Sequence, residues 1–377
     1  MPLISIIIPA YKNDQYLAAC LDSVLSQDED SWEAIVVVDG SPDTCAEIAQ
    51  NYSARDRRIT SICKIHNEGT HLARKTGALA SHGDYCIFLD ADDELSPRAV
   101  SVFNKLISSS PNADIIHYGQ EVIPVGVNER DTKDLETQCN RALPTLRGGE
   151  ICLSSFSRRE DRQDWRILQR IYSGKLLRSA FNSMSNERFG RGQDAYECLA
   201  IASLATEEVF CNDSIAYRYY YGRGITTDNV MSIDSFSKQC DAYSAISRES
   251  LKWAKSLGLS YAIDSAESLS ATLLESLFSD WSLRLAANDK NRALNSLIRT
   301  WDNGRCAGEL YRLARDSAYA AWVSGESYSM RAEYAALYRK AIHLNRASSL
   351  TTKGEEYKRS AAGHISDLKK RSIKRNR

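Results

Sequence analysis

The first 120 residues alternate short apolar runs rich in Ile and Val with segments of helical length, and few architectures accommodate that rhythm. Residues 3–8, 34–38, 59–63 and 85–89 are each bounded by polar or turn residues, as buried strands are. Between them, residues 14–26, 42–53 and 69–81 have helical length and pattern, the first carrying Leu17, Leu21, Val24 and Leu25. Such alternation predicts a parallel sheet with right-handed helical crossovers, whose ligands bind at the carboxyl ends of the strands. Functional residues are therefore expected after the first, second and fourth strands.

Further along, residues 97–109 are expected to form a helix and 114–118 a strand, after which 120–147 loses periodicity and reads as a long loop or variable insert. Residues 148–191 are arginine-rich, with helical spacing at Trp165, Leu168, Ile171 and Tyr172; a helix over 194–205 and a Tyr-rich strand over 215–221 follow. Past Ser232 Gly and Pro become sparse, and apolar residues recur at three and four, as in Leu269, Leu273, Leu274, Leu277, Phe278, Trp281 and Leu285, which predicts a separate helical domain. The expected organisation is a first domain over 1–232 (a first half 1–119, an insert about 120–147, a second half 148–232), a helical domain over 233–350, and a basic tail over 351–377.

Lys and Arg number 48 against 49 Asp and Glu, so no field of one sign points to nucleic acid as the main partner. The tail is the exception, with nine basic residues against three acidic ones after Leu350. Its last part, Lys369 to Arg377, is expected to be a disordered end, the competing reading being peripheral contact with the inner membrane face. The ten cysteines are scattered without metal-like spacing and read as reduced thiols of a cytoplasmic protein. No secretory leader is evident, and no apolar run approaches the ~18–20 residues that cross a bilayer.

The strongest local signal is Asp90-Ala91-Asp92-Asp93, three carboxylates directly after a strand, a donor set that suits Mg²⁺ or Mn²⁺ shared with a substrate diphosphate. The competing reading is a solvated turn that caps the helix near Pro97. Asp39 closes the second strand, where an acidic residue can bind a base or ribose hydroxyl or can start the next helix as an Asx-turn. A Gly-x-Gly-x-x-Gly fingerprint is missing after the first strand, which disfavours a dinucleotide-dependent oxidoreductase, and no Walker-type loop is present.

Ser5-Ile6-Ile7-Ile8-Pro9-Ala10-Tyr11-Lys12, Leu21-Asp22-Ser23-Val24-Leu25-Ser26-Gln27, Val38-Asp39-Gly40-Ser41, Asn67-Glu68-Gly69 with Ala73-Arg74-Lys75-Thr76-Gly77, and the run from Gly83 to Asp93 fall in one order. Together they resemble the opening of family 2 glycosyltransferases. The resemblance implies an α/β GT-A fold, Rossmann-like with a mixed central sheet, followed here by the α-helical domain. It implies an inverting, metal-dependent glycosyltransferase with Mn²⁺ or Mg²⁺ and a nucleotide-sugar donor, usually a UDP-sugar. Carried over by position, Pro9, Ala10, Tyr11 and Asp39 would surround the base, and Arg74 would lie near the base or diphosphate. Asp90 would face the ribose or the metal, Ala91 would line the donor site beside it, Asp92 would ligate the metal and Asp93 would line the donor sugar. Lys12, Lys75 and Pro42 depart from the residues usual at those places.

The family's general base is the Asp of a Glu-Asp pair opening a helix, and Gly192-Gln193-Asp194-Ala195-Tyr196-Glu197 resembles that place, with Gln193 where Glu is usual. Asp194 is thus the candidate catalytic base; the competing reading is a helix cap boxed with Glu197. Arg223, in a segment resembling the family's flexible loop, would close over the diphosphate, and its alternative is a solvated loop cation. The arginines at 158, 159, 162, 166 and 170 would meet an acidic acceptor or form a solvated face. The aromatic residues of the helical half, Trp253, Trp281, Trp301 and Trp322 among them, are expected in a core or in a homo-oligomer interface. The expected acceptor is a hydroxyl of a cell-surface polysaccharide, glycolipid or glycoprotein glycan, including lipid-linked forms. One rival is a catalytically inactive binding or scaffold protein of the same fold acting through its helical domain; another is a nucleotidyltransferase, which would need a Gly-rich loop that residues 9–13 do not supply.

Overall fold

The computed structural model describes residues 3–156, 163–223, 230–346 and 348–375. The chain divides into two compact units, one made of residues 1–228 and 245–269, the other of 229–244 and 270–377.

The first unit is built on one mixed sheet. Strands β1 (Ile4–Ala10), β2 (Trp32–Asp39), β3 (Ile59–Lys64) and β4 (Tyr85–Phe88) alternate with helices α1 (Asp14–Leu25), α2 (Cys45–Arg55) and α3 (Thr70–Ala80). β1 lies parallel to both β2 and β4, and β3 runs parallel beside β2. Six of the seven β1 residues are buried, which is why its sequence is continuously apolar rather than alternating. Leu17, Leu21 and Val24 of α1 pack onto Ile6, Ile8 and Val36 in the main core. Each such side chain contributes about 1.5–3 kcal/mol by leaving water.

Beyond β4 the sheet becomes mixed, antiparallel pairs alternating with a long parallel one. Its full order is β3-β2-β1-β4-β8-β6-β9-β5, with β7 on the flank of β9. The added elements are β5 (Glu94–Leu95), α4 (Ala99–Ser109), β6 (Ile115–Pro124), α5 (Glu129–Cys139), β7 (Leu146–Arg147), α6 (Gly149–Phe156), β8 (Arg170–Ser173), α7 (Gly174–Ser183), α8 (Gln193–Leu204) and β9 (Glu207–Tyr221). The expected loop over 120–147 is thus a strand end, a helix and a short strand. The expected helix through Trp165 and Tyr172 is irregular chain leading into β8, because Arg170–Ser173 finds backbone partners on both β4 and β6. Arg158, Arg159 and Arg162 lie outside the described residues.

Helices α9 (Ile233–Leu257) and α10 (Ser260–Leu283) follow, then α11 (Lys290–Thr300), α12 (Asn303–Val323), α13 (Glu333–Asn345) and α14 (Thr352–Arg375). In the second unit α12 packs against α13 and α14. Residues 369–375, expected to be disordered, continue the helix α14, in which Ala361, Ile365 and Leu368 are buried, the last two clustered with Ala318, Ala321, Tyr334 and Ala335. Trp253, Trp281 and Trp301 are buried, whereas Trp322 is exposed. No helix among the described residues is long and apolar enough to cross a membrane.

Candidate active site

The carboxyl ends of β1, β2 and β4 open into a cleft of about 910 Å³ whose far wall is residues 188–194. Pro9, Ala10, Tyr11, Asp39, Arg74, Asp90, Ala91, Asp92, Asp194 and Arg223 all line it.

At the β2 end, Asp39 is 2% exposed and its carboxylate accepts hydrogen bonds from the backbone N–H of Glu68 (3.1 Å) and Gly69 (2.7 Å) and from Asn67 Nδ2 (3.0 Å). It therefore cages the turn that starts α3 rather than starting the helix after its own strand, so the Asx-turn reading fails. Gly40 permits the approach: with φ +60, a Cβ there would sit 2.4 Å from the carbonyl carbon of His66. One helix further on, Gly77 lets α3 settle onto the sheet, since a Cβ there would lie 2.4 Å from Ile7 Cγ2.

That docking aims the buried face of α3 into the site. Arg74, 2% exposed, donates from Nη2 to Asp90 Oδ1 (3.2 Å) and from Nη1 to both Asp194 Oδ1 and Glu197 Oε2 (3.0 Å). Arg74 thus sits between Asp90 and Asp194 on the cleft wall. Burial opposes the Arg74 charge, but Asp194, Glu197 and Asp90 outweigh it and hold the guanidinium well above its ordinary range. Glu197 is wholly buried; burial raises its carboxyl, yet Arg74 and His71 prevail and keep it below the usual range. His71, also wholly buried, has Nδ1 2.8 Å from Glu197 Oε1 and Nε2 3.0 Å from the Ser185 carbonyl oxygen. A carbonyl only accepts, so Nε2 carries a hydrogen.

Glu197 thus faces α3 rather than the start of its own helix, and the α8 cap is Gly192 with no side-chain cap bond. The capping-box reading of Asp194 fails on both counts. Asp194 Oδ2 has no hydrogen-bond partner among the described residues, and the side chain lines the cleft. Gln193 lines the cleft beside it.

The three carboxylates after β4 are not a solvated cap, because α4 begins beyond them at Arg98 without a side-chain cap. Asp90, Asp92 and Asp93 each bring one oxygen within 4.8 Å of the others. Burial chiefly, then their mutual repulsion, pushes the Asp93 carboxyl up to about 8. Asp90 rises to about 6, burial again leading while Arg74 opposes it, and burial raises Asp92 as well. Crowded carboxylates with oxygen-only donors fit a hard divalent cation, whose charge would relieve that repulsion. Asp93 departs from its expected place along the donor sugar: it is 2% exposed and spends one oxygen on the Tyr217 hydroxyl (2.8 Å) and the other on the Tyr220 N–H (2.9 Å). It ties β9 to the loop, leaving Asp90 and Asp92 as the pair open to the cleft.

Arg223 donates to the Asp92 carbonyl oxygen (2.8 Å), with its guanidinium 3.6 Å from the Tyr220 ring centroid; residues 224–227 of that segment lie outside the described residues. Lys12, Arg188 and Arg191 join it on the cleft wall, so four cations besides Arg74 surround the space. Lys12 holds φ +57, a backbone conformation unfavourable for a lysine, while its N–H donates to Ser41 Oγ (2.8 Å).

His71, Glu197, Arg188 and Arg191 escape a reading of sequence alone. Glu197 carries the one usable signal: a lone carboxylate inside the apolar run Ala195-Tyr196-Glu197-Cys198-Leu199-Ala200-Ile201 must be paired if that helix is buried.

Residues 5–182 match the family model described as glycosyl transferase family 2. A glycosyltransferase of Bacillus subtilis, EpsJ, described as uncharacterized, is 31% identical over 180 residues, 48% of this chain and 50% of that one. The putative teichuronic acid biosynthesis glycosyltransferase TuaG of the same organism is 38% identical over 93 residues, 25% of this chain and 37% of TuaG. The chain therefore spans half the length of EpsJ and less of TuaG. Among solved structures, S. aureus TarS 1-349 in complex with UDP-GlcNAc superposes with a TM-score of 0.59 at 17% identity, over 87% of this chain and 93% of that one, a likeness of fold.

Proposed function

We propose, on the premise that residues 5–182 match the glycosyl transferase family 2 model, that the protein transfers a sugar, with inversion, from a UDP-sugar to a hydroxyl of a cell-surface glycan. The observation that carries this reading is the span of Arg74. One buried guanidinium links a carboxylate suited to a metal, Asp90, with one suited to a proton, Asp194, inside a single cleft.

Pro9, Ala10, Tyr11 and Asp39 take the nucleotide end, where the exposed Tyr11 ring offers a face to a base. Lys12, Arg188, Arg191 and Arg223 meet the diphosphate, for which guanidinium groups are well matched. Asp90 and Asp92 would hold Mn²⁺ or Mg²⁺, which supplies neutralisation of the charge on the departing diphosphate when bound. Asp194 receives the acceptor proton on Oδ2 while Arg74 holds Oδ1 and so fixes the direction of the free oxygen. Attack from that side, opposite the diphosphate, inverts the anomeric carbon. Glu197 and His71 do not touch substrate; they position Arg74. The UDP-GlcNAc held by TarS and the teichuronic acid in TuaG's name support the donor and acceptor classes.

Calorimetric titration with nucleoside diphosphates and UDP-sugars, with and without Mn²⁺, tests the reading. Metal-dependent heat with a UDP-sugar, abolished by Asp92→Ala, is expected. Heat with no nucleotide, or unchanged affinity in Asp92→Ala, overturns it and favours the scaffold alternative.

A further inference from the structure

The largest exposed apolar side chains around the ends of α12 and α14 adjoin one another. Tyr319 (52% exposed), Trp322 (42%) and Val323 (62%) close α12, Met330 (67%) follows in the connecting loop, and Ile373 (58%) lies near the end of α14. Specific contacts hold the two helix ends and the loop between them together. The Tyr319 and Trp322 rings stack at 6.5 Å, Arg371 Nη1 donates to the Trp322 carbonyl oxygen (2.7 Å), and the Tyr328 N–H donates to Ser372 Oγ (3.0 Å). The inner sides of the same helices are spent in the core, through Ala318, Ala321, Ile365 and Leu368. The outward set is therefore surplus to folding, and five large apolar side chains exposed at one end of two packed helices are more than isolated surface apolars.

Charge decides what covers it. Residues 319–331 and 364–375 hold six Lys or Arg and two Asp or Glu, in a chain whose overall charge is −1. Lys369 and Lys370 flank Ile373 at helical spacing, and Lys369 Nζ lies 4.9 Å from the Tyr328 ring centroid. A symmetric second copy would bring like charges together. A soluble polyanion would satisfy the cations and leave Trp322, Val323, Met330 and Ile373 wet. An anionic lipid surface offers both partners at once: headgroup phosphates for the lysines and an interface where Trp and Tyr rings are favoured. We infer that this end of the second unit is a peripheral membrane-docking surface for anionic phospholipid. The inference stands apart from the donor-site reading, since it uses none of the cleft residues.

Flotation of the full chain with phosphatidylcholine vesicles, with and without phosphatidylglycerol, tests it. Binding only to the phosphatidylglycerol vesicles is expected. Lys369→Gln with Lys370→Gln should weaken it about 30-fold, each basic residue near an anionic surface being worth about fivefold. Met330→Ser with Ile373→Ser should weaken it by at least about tenfold through lost apolar burial. All four positions are solvent-facing, so unchanged melting temperatures are expected and separate a docking defect from misfolding. Failure of the unaltered protein to float with phosphatidylglycerol vesicles overturns the inference. So does binding indifferent to the Met330 and Ile373 changes, which would mark a site for soluble polyanions instead.

Discussion

Arg74 and Arg170 are both almost wholly buried, and each lies beside a glutamate paired with a histidine: Glu197 with His71 at 2.8 Å, Glu208 with His117 at 2.7 Å. The parts are the same and the surroundings are not. Arg170 gives its guanidinium to the backbone carbonyls of Asp164 (2.9 Å) and Arg166 and to His117 Nε2 (3.0 Å), around a hole of about 30 Å³, room for about one water. Arg74 gives its own to Asp90 and Asp194, which line a cleft about thirty times larger. A buried cation whose donors are consumed by backbone carbonyls fastens chain to chain. One whose donors hold carboxylates at the edge of an open volume keeps those carboxylates aimed. The histidine–glutamate pair alone therefore diagnoses nothing, and the far side of the arginine does.

Asp194→Asn gives the largest separation between the clusters. It should depress transfer by ~10²–10⁴-fold with donor affinity nearly unchanged, as expected for a positioned base; turnover near the unaltered rate would put the base elsewhere. Next is Glu197→Gln, which loosens Arg74. A fall of about 10²-fold in kcat with little change in donor Kd is expected, the scale of a small misplacement at the reacting centre, together with lowered stability. If stability falls and the kcat of the folded fraction does not, Glu197 is structural and the contrast drawn above collapses. Glu208→Gln is the matched control, breaking a buried pair at a cost of about 3–5 kcal/mol. Chemical denaturation should show that loss while kcat stays as in the unaltered protein.

The smallest effect concerns pH. Asp90 and Asp93 have carboxyls raised to about 6 and about 8, chiefly by burial. A raised carboxyl stabilises the fold while protonated, and that contribution disappears as pH rises through the raised value. The metal-free protein should lose melting temperature between about pH 5 and about pH 8 through this site, and Mn²⁺ should restore more at the upper end, where protons no longer compete. An equal Mn²⁺ response at both pH values would remove the carboxylates from metal binding.

Much of the first unit is legible because its signals are local. Ile4 to Ile8 are buried on both faces and read as a strand without reference to anything else, and Asp39 and Asp90 stand where strands end. The failures share a long-range cause. Ile171 and Tyr172 have helical spacing to Trp165, but β4 and β6 supply backbone partners from far away in sequence, and pairing overrides spacing. β9 begins at Glu207, well before its Tyr-rich part, because Cys211-Asn212-Asp213 interrupts the alternation where its register against β6 shifts. In α14 the charges dominate composition, and only the stripe Ala361, Ile365, Leu368 betrays a helix with a partner. Asp194 was legible through motif order, while His71 looks like any polar residue near a helix start until its burial is known.

The cage around Asp39 and the cation at Arg74 belong to opposite ends of the cleft, yet both are fastened to α3. Gly69, whose N–H Asp39 holds, and Arg74 are separated by five residues of one helix, a rise of about 7.5 Å that side-chain motion does not alter. The helix is a ruler cut to one length. On the proposed reading the nucleotide end and the reacting end are thereby held at one spacing, and a donor sugar carried on a single phosphate is expected to be transferred poorly.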